Sequence, residues 1–165
     1  MAIIYISLGS NVERTRHVKC GLKALANTFN LPFNALTLSS LFESEAVGFS
    51  GNAFYNMVIG INTQCNVQQV ADKLRRIEIN YGRSAKAKKF SPRTLDLDLL
   101  LYDDLVIDSP AQLPRDEISK NAFVLWPLSE VAPKLIHPTL QQDYQTLWRN
   151  YDQTSQQLKI VAKCW

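Results

Sequence analysis

The order of apolar and polar residues along the chain predicts strands and helices in turn. A nearly continuous apolar run at residues 3–8 predicts a buried strand, which ends at the turn-forming residues 9–11. Apolar side chains then recur at the spacing of one helix face, and Asn30 and Pro32 follow where that helix is expected to end. The predicted face consists of Val18, Leu22, Leu25, Ala26 and Phe29.

Two more strands and a second helix are predicted in the middle of the chain. Residues 36–42 and 55–61 both predict strands, the latter because apolar side chains alternate with others. Asn66 suits the start of the second helix, and Gln69 stands where a capping box needs its partner. Gly82 is a natural C-terminal stop for this helix. Its buried stripe is expected to contain Val67, Val70, Leu74 and Ile77.

The fourth predicted strand, residues 94–102, has two chemically different faces. Because side chains alternate along a strand, one face is expected to carry Leu95, Leu97, Leu99 and Leu101. The other face is expected to carry Asp96, Asp98, Leu100 and Tyr102. The order β-α-β-β-α-β is that of a ferredoxin-like α+β sandwich. An apolar segment at 123–126 and a short helix at 144–151 form a C-terminal extension, and residues 1–165 are predicted to be a single domain.

Composition and charge exclude several classes of protein. The chain carries 18 Lys and Arg against 15 Asp and Glu, and a formal charge of +3 is too small to indicate nucleic-acid binding by itself. Three scattered cysteines, Cys20, Cys65 and Cys164, favour free thiols over disulfides or a zinc site. No signal peptide is evident, and no apolar run approaches the roughly 20 residues of a membrane span. A cytoplasmic protein without membrane contact is therefore expected.

Four ring-bearing residues are not expected to take part in chemistry. His17, early in the first predicted helix, is expected on the surface, and His137 is expected to have a structural role. Trp126 and Trp148 are expected to be core residues.

Asp96 and Asp98 are the strongest candidates for chemistry. Side chains two positions apart on a strand leave the same face about 7 Å apart. Two carboxylates at that spacing are costly unless positive charge lies beside them. Mg²⁺ is a suitable partner, since it typically takes one or two carboxylates together with substrate phosphates. The alternative interpretation is a solvated polar face on an edge strand.

A basic segment leads directly into this strand. Residues 82–93 contain five cations and no acidic residue. Lys and Arg neutralise phosphate oxygens, so the segment and the aspartates together predict a site for a metal–polyphosphate complex. A solvated surface loop is one alternative. A nucleic-acid patch is another, although the aspartates would repel a nucleic-acid backbone. The sequence contains no P-loop motif.

One segment has a specific resemblance to a known family. Residues 90–99, Phe-Ser-Pro-Arg-Thr-Leu-Asp-Leu-Asp-Leu, closely resemble the signature of the 6-hydroxymethyl-7,8-dihydropterin pyrophosphokinases. Other segments agree in order and spacing, among them Gly-Ser-Asn at 9–11, Phe-Tyr-Asn at 54–56 and Phe-Val-Leu-Trp-Pro-Leu at 123–128. The resemblance covers roughly residues 2–135. It implies transfer of the diphosphate group of ATP to the hydroxymethyl oxygen of a reduced pterin, leaving AMP, in folate synthesis.

The resemblance also implies roles for residues around the aspartates. Asp96 and Asp98 are expected to hold two Mg²⁺ ions around the phosphates of ATP, the co-substrate. Arg83 and Arg93 match the phosphate-binding arginines of the family and are expected to be catalytic. The expected nucleotide contacts are Arg83, Lys86, Lys89, Phe90, Arg93, Leu99 and Arg115.

A second set of residues matches the pterin pocket of the family. Asn56 and residues 44–47 are expected to contact the donor and acceptor edge of the pterin, and Phe123 matches an aromatic residue that stacks on its ring. The expected pterin contacts are Ser44, Glu45, Val47, Phe54, Asn56 and Phe123. Ordinary core packing is the alternative interpretation for Phe54 and Phe123.

Five positions depart from the common pattern of the family. They are Ala85 and Asn121 in place of arginine, Phe90 in place of tryptophan, Arg115 in place of histidine, and Glu45 in place of proline. These departures leave open a catalytically weak pterin-binding paralogue, and an RNA-binding ferredoxin-like module is a further alternative. The intact aspartates and Arg93 favour an active ATP- and Mg²⁺-dependent enzyme with small-molecule substrates, expected to be a monomer.

Overall fold

The computed structural model describes residues 1–44, 53–82 and 94–165. The strands in these ranges are β1 (Ala2–Ser10), β2 (Thr37–Leu38), β3 (Leu41–Ser44), β4 (Phe54–Thr63), β5 (Asp96–Tyr102) and β6 (Leu158–Val161). The helices are α1 (Arg14–Thr28), α2 (Val67–Asn80), α3 (Ala122–Val131) and α4 (Tyr144–Asn150). Within the described ranges, each helix is too short or too polar to traverse a lipid bilayer.

The strands form one antiparallel sheet in the order β5-β1-β4-β3-β6, and β2 also pairs with β4. Together with α1 and α2, the first four strands in this order confirm the predicted ferredoxin-like arrangement. The strand predicted at 36–42 is divided into β2 and β3 because side-chain hydrogen bonds at Ser39 and Ser40 replace part of the regular ladder. The Ser39 hydroxyl accepts a hydrogen bond of 2.9 Å from the Val58 N–H, and the Ser40 N–H donates one of 2.7 Å to Glu130 on α3.

The two faces of the sheet carry separate apolar clusters. α1 and α2 contribute to the first, which includes Leu8, Leu22, Leu74 and Leu97. α3 and α4 contribute to the second, which includes Val58, Leu100, Leu125, Leu128 and Tyr144. The C-terminal extension therefore covers the face of the sheet that α1 and α2 leave free.

The ladder between β1 and β5 contains a bulge. Leu100 lies between the partners of Tyr5 and Ile6, so β5 has one residue more than β1 at this point. Leu100 and Leu101 consequently both pack in the second cluster, whereas Tyr102 packs against the first. The predicted alternation is correct up to the bulge but wrong for Leu101 and Tyr102, because one extra residue reverses the faces that follow it.

The predicted ends of α2 are confirmed. The Asn66 side chain accepts a hydrogen bond from the Gln69 N–H, and the Gln69 side chain accepts one from the Asn66 N–H, both at 2.9 Å. The helix ends at Asn80, and Gly82 follows with a φ of 93°, which is the left-handed conformation that favours glycine.

The apolar segment at 123–126 lies inside a helix, α3, although Pro127 follows it.

The burial of the four ring-bearing residues agrees only in part with the prediction. His17 is buried, contrary to the prediction, because its Nδ1 lies 2.6 Å from the carbonyl oxygen of Val12, which satisfies the ring in the interior. His137 is also buried, in agreement with a structural role. Trp126 and Trp148 are only half-buried, with stacked rings 5.1 Å apart between centroids.

Candidate active site

Three neighbouring strands bring predicted pterin and metal residues into one row. Gly9 of β1 pairs with Asn56 of β4 on one side and with Asp96 of β5 on the other. Directly opposed residues in an antiparallel sheet project from the same face, and neighbouring strands lie about 4.8 Å apart. The backbone positions of Asn56 and Asp96 are therefore roughly 10 Å apart. Asp98, opposite Ser7, follows on the same face, as the sequence predicts.

Gly9 leaves the middle of this row open. A Cβ atom at this position would lie 3.2 Å from Oδ1 of Asn56 and 3.7 Å from Cδ1 of Phe54. A larger side chain would project between the amide on β4 and the carboxylate on β5. The glycine therefore keeps an open path between these two groups.

The side chain of Asn56 has a fixed orientation. Its Nδ2 donates a hydrogen bond of 2.7 Å to Oγ of Ser44, and both residues are buried. With Nδ2 occupied by the serine, Oδ1 is the atom that faces Gly9. Asn56 consequently presents a hydrogen-bond acceptor to the row.

Arg115 lies against Asp98. Its Nη2 is 3.3 Å from Oδ1 of Asp98, and its Nε is 3.7 Å from Oε1 of Glu117. The Arg115 N–H also donates a hydrogen bond of 3.0 Å to the carbonyl of Leu100, which attaches this part of the chain to β5. The structure thus brings a predicted nucleotide contact next to a predicted metal ligand.

Glu78 on α2 supports the same strand, although it is not among the residues predicted from the sequence. The side chain is buried, and Oε2 accepts a hydrogen bond of 2.9 Å from the N–H of Leu97, the residue between the two aspartates. A signal was available, because Glu78 follows Leu74 by four residues on the predicted buried stripe. A carboxylate at such a position needs a buried partner.

A cavity of about 370 Å³ lies beside β5, between α2 and the segment that ends at Arg115. Its walls combine apolar and charged side chains, including Leu99, Pro110, Ala111, Arg75, Asp98 and Arg115. Polar and charged side chains supply most of its accessible lining, and Leu99, Pro110 and Ala111 form an apolar part, so it can accept a molecule that combines an apolar ring with charged groups. Both described nucleotide contacts of the sequence prediction, Leu99 and Arg115, line this cavity.

The other predicted contacts are either partly buried or outside the described residues. Phe54 begins β4 beside Gly9, and Phe123 in the first turn of α3 packs partly against the second cluster. Phe123 therefore contributes to core packing while its side chain stays partly exposed. The predicted contacts that lie outside the described residues are Glu45, Val47, Arg83, Lys86, Lys89, Phe90 and Arg93.

Asn121, one of the departures from the family pattern, binds the C-terminal segment. Its Oδ1 accepts a hydrogen bond of 3.0 Å from Nε2 of Gln156. Oε1 of Gln156 in turn accepts one of 2.8 Å from the N–H of Ala122, the first residue of α3. This position therefore fixes the start of the helix that carries Phe123.

The donor atoms at Asp96 and Asp98 suit Mg²⁺. Within residues 1–44, 53–82 and 94–165, no group of three or more His, Cys, Asp and Glu side chains could hold a metal ion. Structural zinc sites use four protein ligands, whereas Mg²⁺ binds through one or two carboxylates and completes its shell with phosphate oxygens and water. Two half-buried carboxylates on one face therefore fit Mg²⁺ that binds together with a polyphosphate.

A second charged cluster joins the start of α1 to β3 and β6. Oε2 of Glu43 is 2.6 Å from Nη2 of Arg14, and Oε1 is 3.0 Å from Nζ of Lys159. The hydrogen bond from Lys159, and then the one from Arg14, hold the pKa of Glu43 below its ordinary value. Arg14 also donates a hydrogen bond of 3.1 Å to the carbonyl of Ala53. It thereby links Glu43 and Ala53, which lie before and after residues 45–52 in the chain. That segment includes two predicted pterin contacts.

Comparison with known proteins identifies the family. A family model for 7,8-dihydro-6-hydroxymethylpterin-pyrophosphokinase (HPPK) matches residues 5–133. The chain belongs to the HPPK family. Two relatives named 2-amino-4-hydroxy-6-hydroxymethyldihydropteridine pyrophosphokinase support the assignment. The one from Aquifex aeolicus is 33% identical over 141 residues, which are 84% of this chain and 85% of the relative. The one from Haemophilus influenzae is 33% identical over 144 residues, 86% of this chain and 88% of the relative.

Solved structures share the HPPK fold. A Plasmodium falciparum HPPK-DHPS structure with SDX-DHP superposes with a TM-score of 0.66 at 13% identity, over 90% of this chain and 43% of that chain. An HPPK-DHPS structure in complex with substrates gives a TM-score of 0.68 at 10% identity, over 93% of this chain and 44% of that chain. This chain therefore spans less than half of those longer chains, and the likeness supports the fold alone.

Proposed function

We propose that the protein transfers the diphosphate group of ATP to the hydroxymethyl oxygen of 6-hydroxymethyl-7,8-dihydropterin in folate biosynthesis. Membership of the HPPK family supports this activity. The structural observation that supports it most directly is the row of Asn56, Gly9 and Asp96. In this row an amide and a carboxylate lie on the same face of the sheet, on either side of a glycine. The hydroxymethyl oxygen bonds to the β-phosphorus, and the bond from that phosphorus to the oxygen shared with the α-phosphate breaks. The bonding electrons leave with AMP, and the hydroxyl proton passes to solvent.

The pterin binds at the Asn56 end of the row. Oδ1 of Asn56 accepts a hydrogen bond from an N–H on the pterin edge, and Ser44 keeps the amide in the required orientation. Preset orientation lowers the entropy lost on binding. Stacking and pocket contacts are assigned to Phe54, Phe123, Glu45 and Val47.

ATP binds along the outer side of β5. The cavity beside Leu99 and Ala111 offers an apolar wall for the adenine ring, and Arg115 at its border offers a guanidinium for phosphate oxygens. The basic segment is proposed to cover the phosphates and to exclude water from the reaction. Its assigned residues are Arg83, Lys86, Lys89, Phe90 and Arg93.

Asp96 and Asp98 are the proposed ligands of two Mg²⁺ ions bound together with the phosphates. Bound Mg²⁺ neutralises phosphate charge and polarises the phosphoryl oxygens. Arg93 and Arg83 stabilise the negative charge that develops on the transferred group. Glu78 holds the backbone between the aspartates, so that the two carboxylates keep their relative position.

Release of AMP from ATP tests this proposal directly. Purified protein is incubated with ATP, Mg²⁺ and 6-hydroxymethyl-7,8-dihydropterin, and a parallel reaction omits the pterin. AMP that forms only with pterin, in a 1:1 ratio to pterin diphosphate, is the expected result. AMP formation that does not depend on pterin would contradict the proposed acceptor.

A pterin-binding paralogue without useful catalysis is the second candidate. The observation that favours it is the ion pair between Arg115 and Asp98, which neutralises one of the two carboxylates. Pterin binding without AMP formation at any Mg²⁺ concentration would support this candidate instead. For the active enzyme, we propose a cytoplasmic monomer.

A further inference from the structure

Asp98 has a permanently charged neighbour. The guanidinium of Arg115 is 3.3 Å from Asp98 through Nη2 and 3.7 Å from Glu117 through Nε. Nε is buried and makes no hydrogen bond to any of the described residues. One guanidinium therefore lies between two carboxylates without the parallel pair of hydrogen bonds that makes arginine–carboxylate contacts strong. The Arg115 side chain is 28% exposed, so its Nη groups retain donor capacity for a further acceptor.

A guanidinium and a metal ion compete for the same carboxylate. Arginine does not lose its proton in proteins, so its charge remains when a cation approaches Asp98. A divalent ion on this carboxylate would be repelled by the neighbouring guanidinium. The repulsion is relieved when the guanidinium binds a new anion, and the polyphosphate of a nucleotide is an anion for which the arginine fork is suited. The cavity that Asp98 and Arg115 both line supplies the space for it.

We propose that Arg115 makes binding of a divalent cation at Asp98 depend on the nucleotide. Without nucleotide, Arg115 occupies the carboxylate and weakens cation binding. When the nucleotide binds, its phosphates attract the guanidinium and release Asp98 for the cation. This inference rests on the proposed function, because it takes Asp98 as the metal ligand and the neighbouring cavity as the nucleotide site.

The test measures cation affinity rather than turnover. Mn²⁺ replaces Mg²⁺, and the concentration of free Mn²⁺ is followed by electron paramagnetic resonance. The measurement is made with and without adenosine 5′-(α,β-methylene)triphosphate, in which a methylene group replaces the oxygen between the α- and β-phosphorus atoms. The analogue alone is titrated in parallel, because it binds Mn²⁺ by itself. Wild-type protein is expected to bind Mn²⁺ weakly alone and much more tightly with the analogue.

Variants of Arg115 separate this role from a merely structural one. Arg115→Gln removes the charge and is expected to raise nucleotide-free Mn²⁺ affinity roughly tenfold, while the enhancement by the analogue shrinks. Arg115→Lys keeps the charge and is expected to stay close to wild type without nucleotide. Arg16→Gln removes an arginine from an exposed ion pair with Glu13 and is expected to change neither affinity.

Glu117→Gln provides a test in the opposite direction. It removes the second carboxylate beside Arg115, so the guanidinium should pair more strongly with Asp98 and nucleotide-free Mn²⁺ affinity should fall. If Arg115→Gln is folded by circular dichroism yet binds Mn²⁺ no more tightly than wild type, the inference is wrong. If Arg115→Gln does not fold, an unchanged affinity in Glu117→Gln overturns the inference instead. If wild type binds no Mn²⁺ beyond the analogue alone, the metal assignment in the proposed function fails first.

Discussion

The carboxylate of Glu78 accepts a hydrogen bond from the backbone of Leu97, with 2.9 Å between Oε2 and N. In the described part of the chain, β5 is the last strand at its end of the sheet, so Leu97 has a strand neighbour on one side only. Glu78 provides the missing acceptor on the other side. A buried helix residue thereby fixes the backbone from which Asp96 and Asp98 project.

Replacement of Glu78 tests this support. Glu78→Ala leaves the Leu97 N–H without its acceptor and is expected to lower the free energy of unfolding by about 1–3 kcal/mol. The same variant is expected to lower kcat about tenfold, because small displacements of catalytic groups are costly. Glu78→Gln keeps an acceptor oxygen, so both its free energy of unfolding and its kcat are expected to fall less. Urea denaturation and AMP release measure the two effects, and equal losses in both variants would contradict the role of the hydrogen bond.

Asp98 is predicted to be essential for turnover. Asp98→Asn keeps the size of the side chain but removes the charge, and kcat is expected to fall by about 10²-fold or more, as for loss of one preorganised charge-stabilising group. Asp104→Asn makes the same chemical change at an exposed position just after β5 and serves as the matched control. Steady-state AMP release measures both variants. Near-normal turnover in Asp98→Asn would remove this residue from the metal site.

Two glycines allow a comparison between the site and the core. Gly9→Ala would bring a Cβ within 3.2 Å of Oδ1 of Asn56, so the KM for pterin is expected to rise about fivefold. Gly21→Ala would bring a Cβ within 3.0 Å of Leu8 and Leu95, so it should change the free energy of unfolding and leave the KM for pterin unaltered. A rise in the KM for ATP equal to that for pterin in Gly9→Ala would show a general disturbance instead.

The main elements could be predicted because their burial leaves a local pattern in the sequence. Alternating apolar residues indicate β4, and the stripe with its capping box indicates α2. The shared face of Asp96 and Asp98 follows from the same periodicity. The bulge at Leu100 has no local signal, because it depends on the register between β1 and β5. β6 is also absent from the prediction, since its four residues are exposed or half-buried and form a strand only against β3.

The surroundings of the aspartates could be predicted only in part. The resemblance to the family indicates Arg115 as a nucleotide contact, but nothing near it in the sequence indicates a pair with Asp98. The place of Glu78 on the buried stripe indicates burial but not its partner, and Arg14 looks like an ordinary charged helix residue. Their contacts with Leu97 and Ala53 arise from packing between elements distant in the chain. Such contacts become visible only when the fold is known.

Arg14 is predicted to position the pterin pocket. Besides its bonds to Glu43 and Ala53, its guanidinium lies 3.9 Å from the centre of the Tyr55 ring. Arg14→Gln removes all three contacts and is expected to weaken pterin binding about three- to tenfold, with little effect on the affinity for ATP. Arg16→Gln, two residues further on and exposed, is the matched control. Pterin fluorescence and ATP calorimetry measure the two affinities, and equal weakening of both ligands would contradict a role confined to the pterin side.

His137 is predicted to make stability depend on pH. Its Nδ1 accepts hydrogen bonds from the N–H groups of Thr139 and Leu140, at 3.2 and 3.0 Å, so the loop requires the neutral imidazole. Burial lowers the pKa of His137 from its ordinary value of 6.5. The folded state therefore binds fewer protons than the unfolded state below that value, and stability should fall as the pH decreases from about 6.5 through the lowered folded pKa.

A variant with a similar acceptor but no titration tests the contribution of this histidine. In His137→Asn, the side-chain oxygen can accept hydrogen bonds from the same backbone N–H groups, as asparagine does in Asx turns. Stability near pH 8 is therefore expected to remain close to that of the wild type. Urea denaturation between pH 8 and pH 5 should show a shallower loss of stability in the variant. Identical pH profiles for the two proteins would mean that other groups cause the loss, since His137 is the only group that the substitution removes from the titration.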